Sequence, residues 1–96
     1  MKVKLSRKAE ADLEAIADWI AKDDPNIAWR FSVQLRAECT SLQDMSERHP
    51  VFSKKQGEVI HRKVYGQYLI FYIILSDRVE IVRIFHGAQD YLRFLN

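Results

Sequence analysis

A chain of 96 residues with 48% apolar and 29% charged side chains is long enough for one domain around a single core, and too apolar to remain disordered. Fifteen Lys and Arg against thirteen Asp and Glu leave a net charge of +2, weaker than the basic balance of a nucleic-acid-binding domain. Cys39, the single cysteine, excludes an intrachain disulfide, and the strongest apolar run, Tyr68 to Leu75, falls far short of the ~20 residues of a membrane span.

Met1-Lys2-Val3-Lys4-Leu5 leads into a charged amphipathic segment with no apolar h-region, so a soluble, cytoplasmic protein is expected. Lys2 to Leu5 reads as a short strand with Val3 and Leu5 on one face. Ser6 is a candidate N-cap, and Ala9, Leu13, Ile16 and Ile20 recur at helical spacing, giving an amphipathic helix to about Lys22. Asp23-Asp24-Pro25 breaks it and starts the next helix, with Asp24 as N-cap and Pro25 at the first helical position, where its missing N–H costs nothing. Ala28, Phe31, Leu35 and Leu42, with Cys39 alongside, form the buried stripe of this second helix. Pro50 disfavours helical geometry at His49, so the helix is expected to end near Arg48. The two stripes predict an antiparallel helical hairpin.

A polar connector is expected through Gly57. Val59 to Tyr65 reads as a strand, Gly66-Gln67 as a two-residue turn with glycine where a type II′ turn needs positive φ, and Tyr68 to Leu75 as the return strand. That return strand is apolar on both faces and should be central, between the helical hairpin and a second covering layer. Ser76-Asp77-Arg78 makes the next turn and Val79 to His86 the last strand. The tail from Ala88 to Asn96 fits a short helix over the other face. The expected architecture is α+β, in the order β-α-α-β-β-β: a helical hairpin packed on a small antiparallel sheet, one domain over 1–96.

Charge is unevenly distributed. Residues 1–48 hold eight basic and nine acidic side chains, and residues 49–96 hold seven against four, with all three histidines. The sheet half is therefore basic, a pattern that suits solvated surface or the docking of an acidic protein. His86 has the intrinsic pKa of a general acid or base, but its place at a strand end beside Gly87 favours a hydrogen-bonding structural role. Glu10, Asp12, Glu14 and Asp18 read as the solvated acidic face of a helix. The histidines lack ligand spacing, so neither metal nor cofactor is expected. Cys39 reads as a small buried apolar residue. Trp19 and Trp29 lie one position off their stripes, which fits a core boundary or a partner-binding surface equally well; Tyr91 and Phe94 carry the same two readings.

The element order, taken with particular residues, resembles the RelE/ParE toxin superfamily of bacterial toxin–antitoxin systems. The matching pieces run in order along nearly the whole chain: Ala11-Asp12-Leu13-Glu14-Ala15-Ile16, Trp19-Ile20-Ala21, Asp24-Pro25 to Ala28 and Phe31, and His49-Pro50. Tyr68-Leu69-Ile70-Phe71-Tyr72-Ile73 and Ile81-Val82-Arg83-Ile84-Phe85-His86-Gly87-Ala88-Gln89-Asp90 complete the set. The resemblance implies two chemistries. RelE-like members cut mRNA on the ribosome, with basic residues and usually a tyrosine or histidine that orient the 2′-hydroxyl and neutralise phosphate charge in the transition state. ParE-like members bind and poison DNA gyrase and are neutralised by a ParD-type antitoxin.

Two positions weigh against the nuclease. Leu69 stands where RelE-like chains place an arginine after the strand-opening tyrosine, and Gln89 where a C-terminal arginine is expected. Loss of two such donors would remove several kcal/mol of transition-state stabilisation, since each contributes about 3–4 kcal/mol. His86-Gly87-Ala88-Gln89-Asp90 looks closer to the ParE pattern, although Gln89 also replaces an arginine there. The resemblance thus implies a non-enzymatic, ParE-like gyrase inhibitor with no sequence-specific nucleic-acid binding. Trp19, Trp29, Arg62, Lys63, Arg83, Tyr91, Arg93 and Phe94 are its candidate antitoxin- or target-binding residues. A degenerate ribonuclease would instead use Arg62, Lys63, Arg83, His86 and Tyr91. A third reading is an inactive toxin-like partner or corepressor of an antitoxin.

Overall fold

Ser6 and Asp24 start the two long helices through their own side chains. In the computed structural model, which describes residues 1–55 and 57–89, with Met45 and Lys55 by backbone alone, Ser6 Oγ accepts from Ala9 N–H at 3.0 Å and opens α1 (Arg7–Ala21). Asp24 Oδ1 accepts from the N–H groups of Asn26 and Ile27 and opens α2 (Pro25–Thr40), with Pro25 in the first turn. Each cap satisfies donors that the first helical turn would otherwise leave unpaired.

The second helix stops at Thr40, short of the expected Arg48. Ser41 interrupts it, its hydroxyl turned back to donate to the Glu38 carbonyl at 2.7 Å, and a four-residue helix α3 (Leu42–Met45) follows. Leu42 is fully buried on the same stripe, which is why apolar spacing reads straight through the interruption. The connector after Pro50 holds a strand that the sequence reading missed, β2 (Val51–Lys55), paired antiparallel with β3 (Glu58–Tyr65) and irregular between Val51 and Ser53.

β3 turns at Gly66, whose φ is +59°, into β4 (Tyr68–Ile74), which pairs with β5 (Arg78–His86). The strand order is β1-β5-β4-β3-β2, so β4 is central as expected. The sheet is mixed where an antiparallel one was expected, because β1 (Lys2–Leu5) lies parallel to β5 with Val3 beside Val79 and Leu5 beside Ile81. A parallel edge needs a long crossover, and the helical hairpin together with the meander β2–β5 supplies it.

Both faces of the sheet are apolar. Ile70, Tyr72, Val79, Ile81 and Ile84 pack under the helices against Leu13, Leu35, Cys39 and Leu42. Ile60, Leu69, Phe71, Ile73 and Phe85 form a second cluster on the opposite face. The short C-terminal helix expected to cover that face lies outside the described residues beyond Gln89. Among the described residues, no helix is long and apolar enough to cross a membrane.

Candidate functional site

The end of the sheet nearest the helical hairpin tip is closed by a ring of local hydrogen bonds. Tyr68 opens β4 directly opposite His86, the last residue of β5. Ala88 N–H donates to His86 Nδ1 at 3.0 Å, so that nitrogen carries no hydrogen; Nε2 carries it and donates to Gln67 Oε1 at 3.1 Å. Gln89 returns to the same strand end. Its Oε1 accepts from His86 N–H at 2.7 Å, and its N–H donates to the His86 carbonyl at 2.9 Å. Gly87 N–H donates to the Gln67 carbonyl at 2.7 Å, tying this turn to the β3–β4 turn. His86 thus has its basic lone pair engaged by a backbone donor, the structural role favoured from sequence.

Between this ring and α1 lies a cleft of about 590 Å³. Helix α1 contributes Asp12, Ala15, Ile16, Trp19 and Ile20, at the i, i+3, i+4, i+7 and i+8 spacing of one helical face; the strand ends contribute Gln67, Tyr68, Ile84, His86 and Gln89. The Tyr68 ring lies 4.8 Å from that of Phe31 and edge-on to the His86 ring at 5.2 Å, and burial raises its phenol above the ordinary range. Trp19 stands at the mouth, 70% exposed, with Lys22 Nζ 5.1 Å from its ring centroid.

Asp12 in this cleft is not the solvated carboxylate that the helical pattern suggested. Its two oxygens accept from Arg83 Nε and Nη2 at 2.8 and 2.9 Å and from Ile84 N–H at 2.9 Å, with the two side chains only 14% and 18% exposed. The Asp12 hydrogen bond raises the Arg83 pKa further. The β5 strand is irregular here, with Phe71 opposite Arg83 and Tyr72 opposite Ile81, and Asp12 takes up a backbone donor at that irregularity. Glu10 also carries a partner, Arg36 on α2, at 2.7 Å. Among the described residues, no cluster of His, Cys, Asp and Glu could hold a metal ion.

The remaining predicted residues are dispersed. Lys63 is buried beneath the end of α2. Its ammonium donates to the Glu38 carbonyl at 3.0 Å and Ser41 Oγ at 2.8 Å, and lies 2.8 Å from Glu38 Oε2. Three donors meet three acceptors at a helix C-terminus, where a cation is favoured. Arg62, its neighbour on the other face, lies 5.2 Å from the centroid of the Phe52 ring. Arg62, Phe71 and Arg83 form one row across β3, β4 and β5, and Arg83 is stacked 4.5 Å from Phe85. Trp29 is 69% exposed on α2, away from the cleft lining, so both tryptophans are surface residues rather than core boundary. Leu69 is buried in the opposite-face cluster. Tyr91, Arg93 and Phe94 lie outside the described residues. Burial pushes the Cys39 thiol up to about 11, which leaves it an inert core residue. Gln67 and Tyr68 went unnoticed as site residues; the signal available was that a hairpin turning at Ser76-Asp77-Arg78 sets Tyr68 opposite His86 on the neighbouring strand.

Comparison with known proteins gives concordant families and divided names. A family model described as ParE toxin of type II toxin-antitoxin system, parDE, matches residues 3–91. Toxin RelE2 of Caulobacter vibrioides is 34% identical over 82 residues, 85% of this chain and 90% of that protein. Toxin RelE1 of the same organism is 27% identical over 88 residues, 92% and 95% of the two chains. Among solved structures, a chain of the chromosomal ParDE system from P. aeruginosa superposes with a TM-score of 0.72 at 23% identity, covering 90% of this chain and 95% of that one. A chain of the RelBE2 toxin–antitoxin complex from Mycobacterium tuberculosis gives 0.57 at 22% identity, covering 92% of each. These two show a shared fold.

Proposed function

The chain belongs to the ParE toxin family of type II toxin–antitoxin systems, and from that premise we propose that it acts by binding: a non-enzymatic, ParE-like inhibitor of DNA gyrase in the cytoplasm, neutralised by a ParD-type antitoxin. The observation that carries this reading is that five positions a ribonuclease would use, Lys63, Leu69, Arg83, His86 and Gln89, are apolar, uncharged or internally engaged. Leu69 is core. The Gln89 side chain accepts from the His86 backbone. Lys63 holds the end of α2 and Arg83 holds Asp12. With the His86 Nδ1 lone pair accepting from Ala88 N–H, no basic lone pair faces a substrate hydroxyl there. What remains outward is a recognition surface, Trp19 and Trp29 with Arg62, of the residue types that dominate binding energy in interfaces.

The second reading, a ribosome-dependent mRNA endoribonuclease, is favoured by the names of the two Caulobacter vibrioides relatives and by Arg62, which keeps a cation on the sheet. Purified chain added to gyrase supercoiling and DNA-cleavage assays, and in parallel to translating ribosomes, separates the two. Lost supercoiling or trapped DNA breaks with intact mRNA is the expected result; codon-biased mRNA cuts with unaffected gyrase would replace it by the nuclease reading. No growth defect on induction without antitoxin would favour the inactive partner.

A further inference from the structure

The outer face of the helical hairpin, turned away from the sheet, holds apolar surface and opposite charges that the single chain leaves unused. Trp29, 69% exposed, and Val33, 49% exposed, stand one turn apart on α2, with Ala37 exposed one turn further on. Beside them Arg30 of α2 and Glu14 and Asp18 of α1 are exposed and, among the described residues, have no hydrogen-bond or ion-pair partner. In the middle of this face α1 therefore offers acid and α2 offers base. We propose that the face is a self-association surface, on which a second copy of this chain packs its α2 onto α1 and its α1 onto α2.

Charge complementarity selects this occupant. The ion pair between Glu10 and Arg36 fixes which positions of the two antiparallel helices stand level. Counting from that pair, Arg30 lies level with Ile16, midway between Glu14 and Asp18. A two-fold axis in the interface, parallel to the helices, keeps each level and exchanges the helices. It therefore sets Arg30 of one copy between Glu14 and Asp18 of the other, and does so twice. The cations at the ends of α1 meet no cation under this operation, since Lys8 comes level with Glu38 and Lys22 with Asp24. A two-fold axis across the helices would instead lay acidic α1 on acidic α1. Trp29 stands two turns before Arg36, on the flank of α2 that faces α1, so it lies near the axis and meets its own counterpart at the centre of the contact. The face is about 22 Å long and about 20 Å wide, roughly half the area that each partner buries in a standard interface, so weak association in the high-micromolar range is expected.

The test is sedimentation of the full chain from micromolar to millimolar concentration, at low salt and at about 0.5 M salt. A monomer–dimer equilibrium that weakens with salt is expected. Arg30→Glu and, separately, the double variant Glu14→Lys with Asp18→Lys should each weaken it about tenfold, because both symmetry-related contacts turn from attractive to repulsive. An equimolar mixture of these two variants should associate again, since each then meets opposite charge at both contacts. Trp29→Ala should weaken self-association about tenfold. All four positions are exposed, so melting temperatures should be retained. A chain that stays monomeric at millimolar concentration, unchanged association in Arg30→Glu, or no recovery in the mixture would each overturn the proposal. A monomer whose affinity for an antitoxin falls in Arg30→Glu would overturn it too, by assigning the face to that partner. If the double variant fails to fold, Arg30→Glu and Trp29→Ala still decide. Sedimentation uses neither gyrase nor ribosomes, so its outcome is independent of the reading of the toxin's target.

Discussion

Arg62 and Lys63 are neighbours in the chain and stand on opposite faces of one strand, where charge is used in opposite ways. On the helix-covered face Lys63 serves the fold by holding the end of α2, and Arg83, although in one row with Arg62, is likewise engaged internally, by Asp12 of α1. On the other face Arg62 rests on an aromatic ring and has no carboxylate partner among the described residues. A basic half of a sequence is therefore not the same thing as a basic surface. Only a cation without an internal partner is free to meet an external anion, and desolvating an engaged one would break what it already makes.

The contrast is broken or sharpened most strongly at Lys63. Lys63→Met should lower stability by about 2–3 kcal/mol, since it removes charge-assisted hydrogen bonds from a buried site, and should lower the midpoint of a thermal melt by about 10–20 °C. Unchanged melting with lost toxicity would instead make Lys63 a contact residue. The two ion pairs of α1 come next. Asp12→Ala should cost about 2 kcal/mol because it strands a guanidinium and a backbone N–H, whereas Glu10→Ala, in a pair with side chains 46% and 51% exposed, should cost less than about 0.5 kcal/mol in denaturant titrations. Equal costs for the two would erase the distinction between anchoring and solvated pairs.

His86→Ala removes two hydrogen bonds at an exposed turn and should cost about 1 kcal/mol, with toxicity little changed. A large loss of toxicity with intact folding and antitoxin affinity would argue for catalysis. Arg62→Ala should leave stability within about 0.5 kcal/mol while weakening partner binding, measured by calorimetry.

The smallest effect concerns His49. Burial, followed by Lys63, Arg48 and His61, lowers its pKa below the ordinary 6.5. The unfolded chain then binds the extra proton first, so this contribution is fully present above pH 6.5 and is lost as the pH falls toward the folded value. Melting temperature should show a slight decline on acidification through this window, absent in His49→Gln.

Local signals were legible and distant ones were not. Ser6, Asp24 and Pro25 fix helix starts by chemistry confined to a few residues, and the uninterrupted apolar run of β4 marks the centre of a sheet. β2 was missed because Val51-Phe52-Ser53-Lys54-Lys55 alternates weakly and owes its strand to pairing with β3 across an irregular register. The end of α2 was misplaced because Leu42 continues the stripe past the break at Ser41. Asp12 looked solvated because nothing near it in sequence announces Arg83, 71 residues away. Leu69 and Gln89 were legible as uncharged positions. Their roles, one in the core and one fastening the strand end, required the fold.

The parallel pairing of β1 with β5 bears on how the chain is made. Lys2 to Leu5 finds its neighbours at Arg78 to Ile81, and Ser6 donates from its N–H and hydroxyl to the carbonyls of Ile81 and Val82. Contacts this far apart are the slow ones in folding. β1 therefore waits for β5, made more than 70 residues later, and a product truncated before Arg78 lacks the partner of β1 and the anchor of α1 alike. Synthesis and maturation of the domain are coupled, so an incomplete chain cannot present the finished surface to a partner.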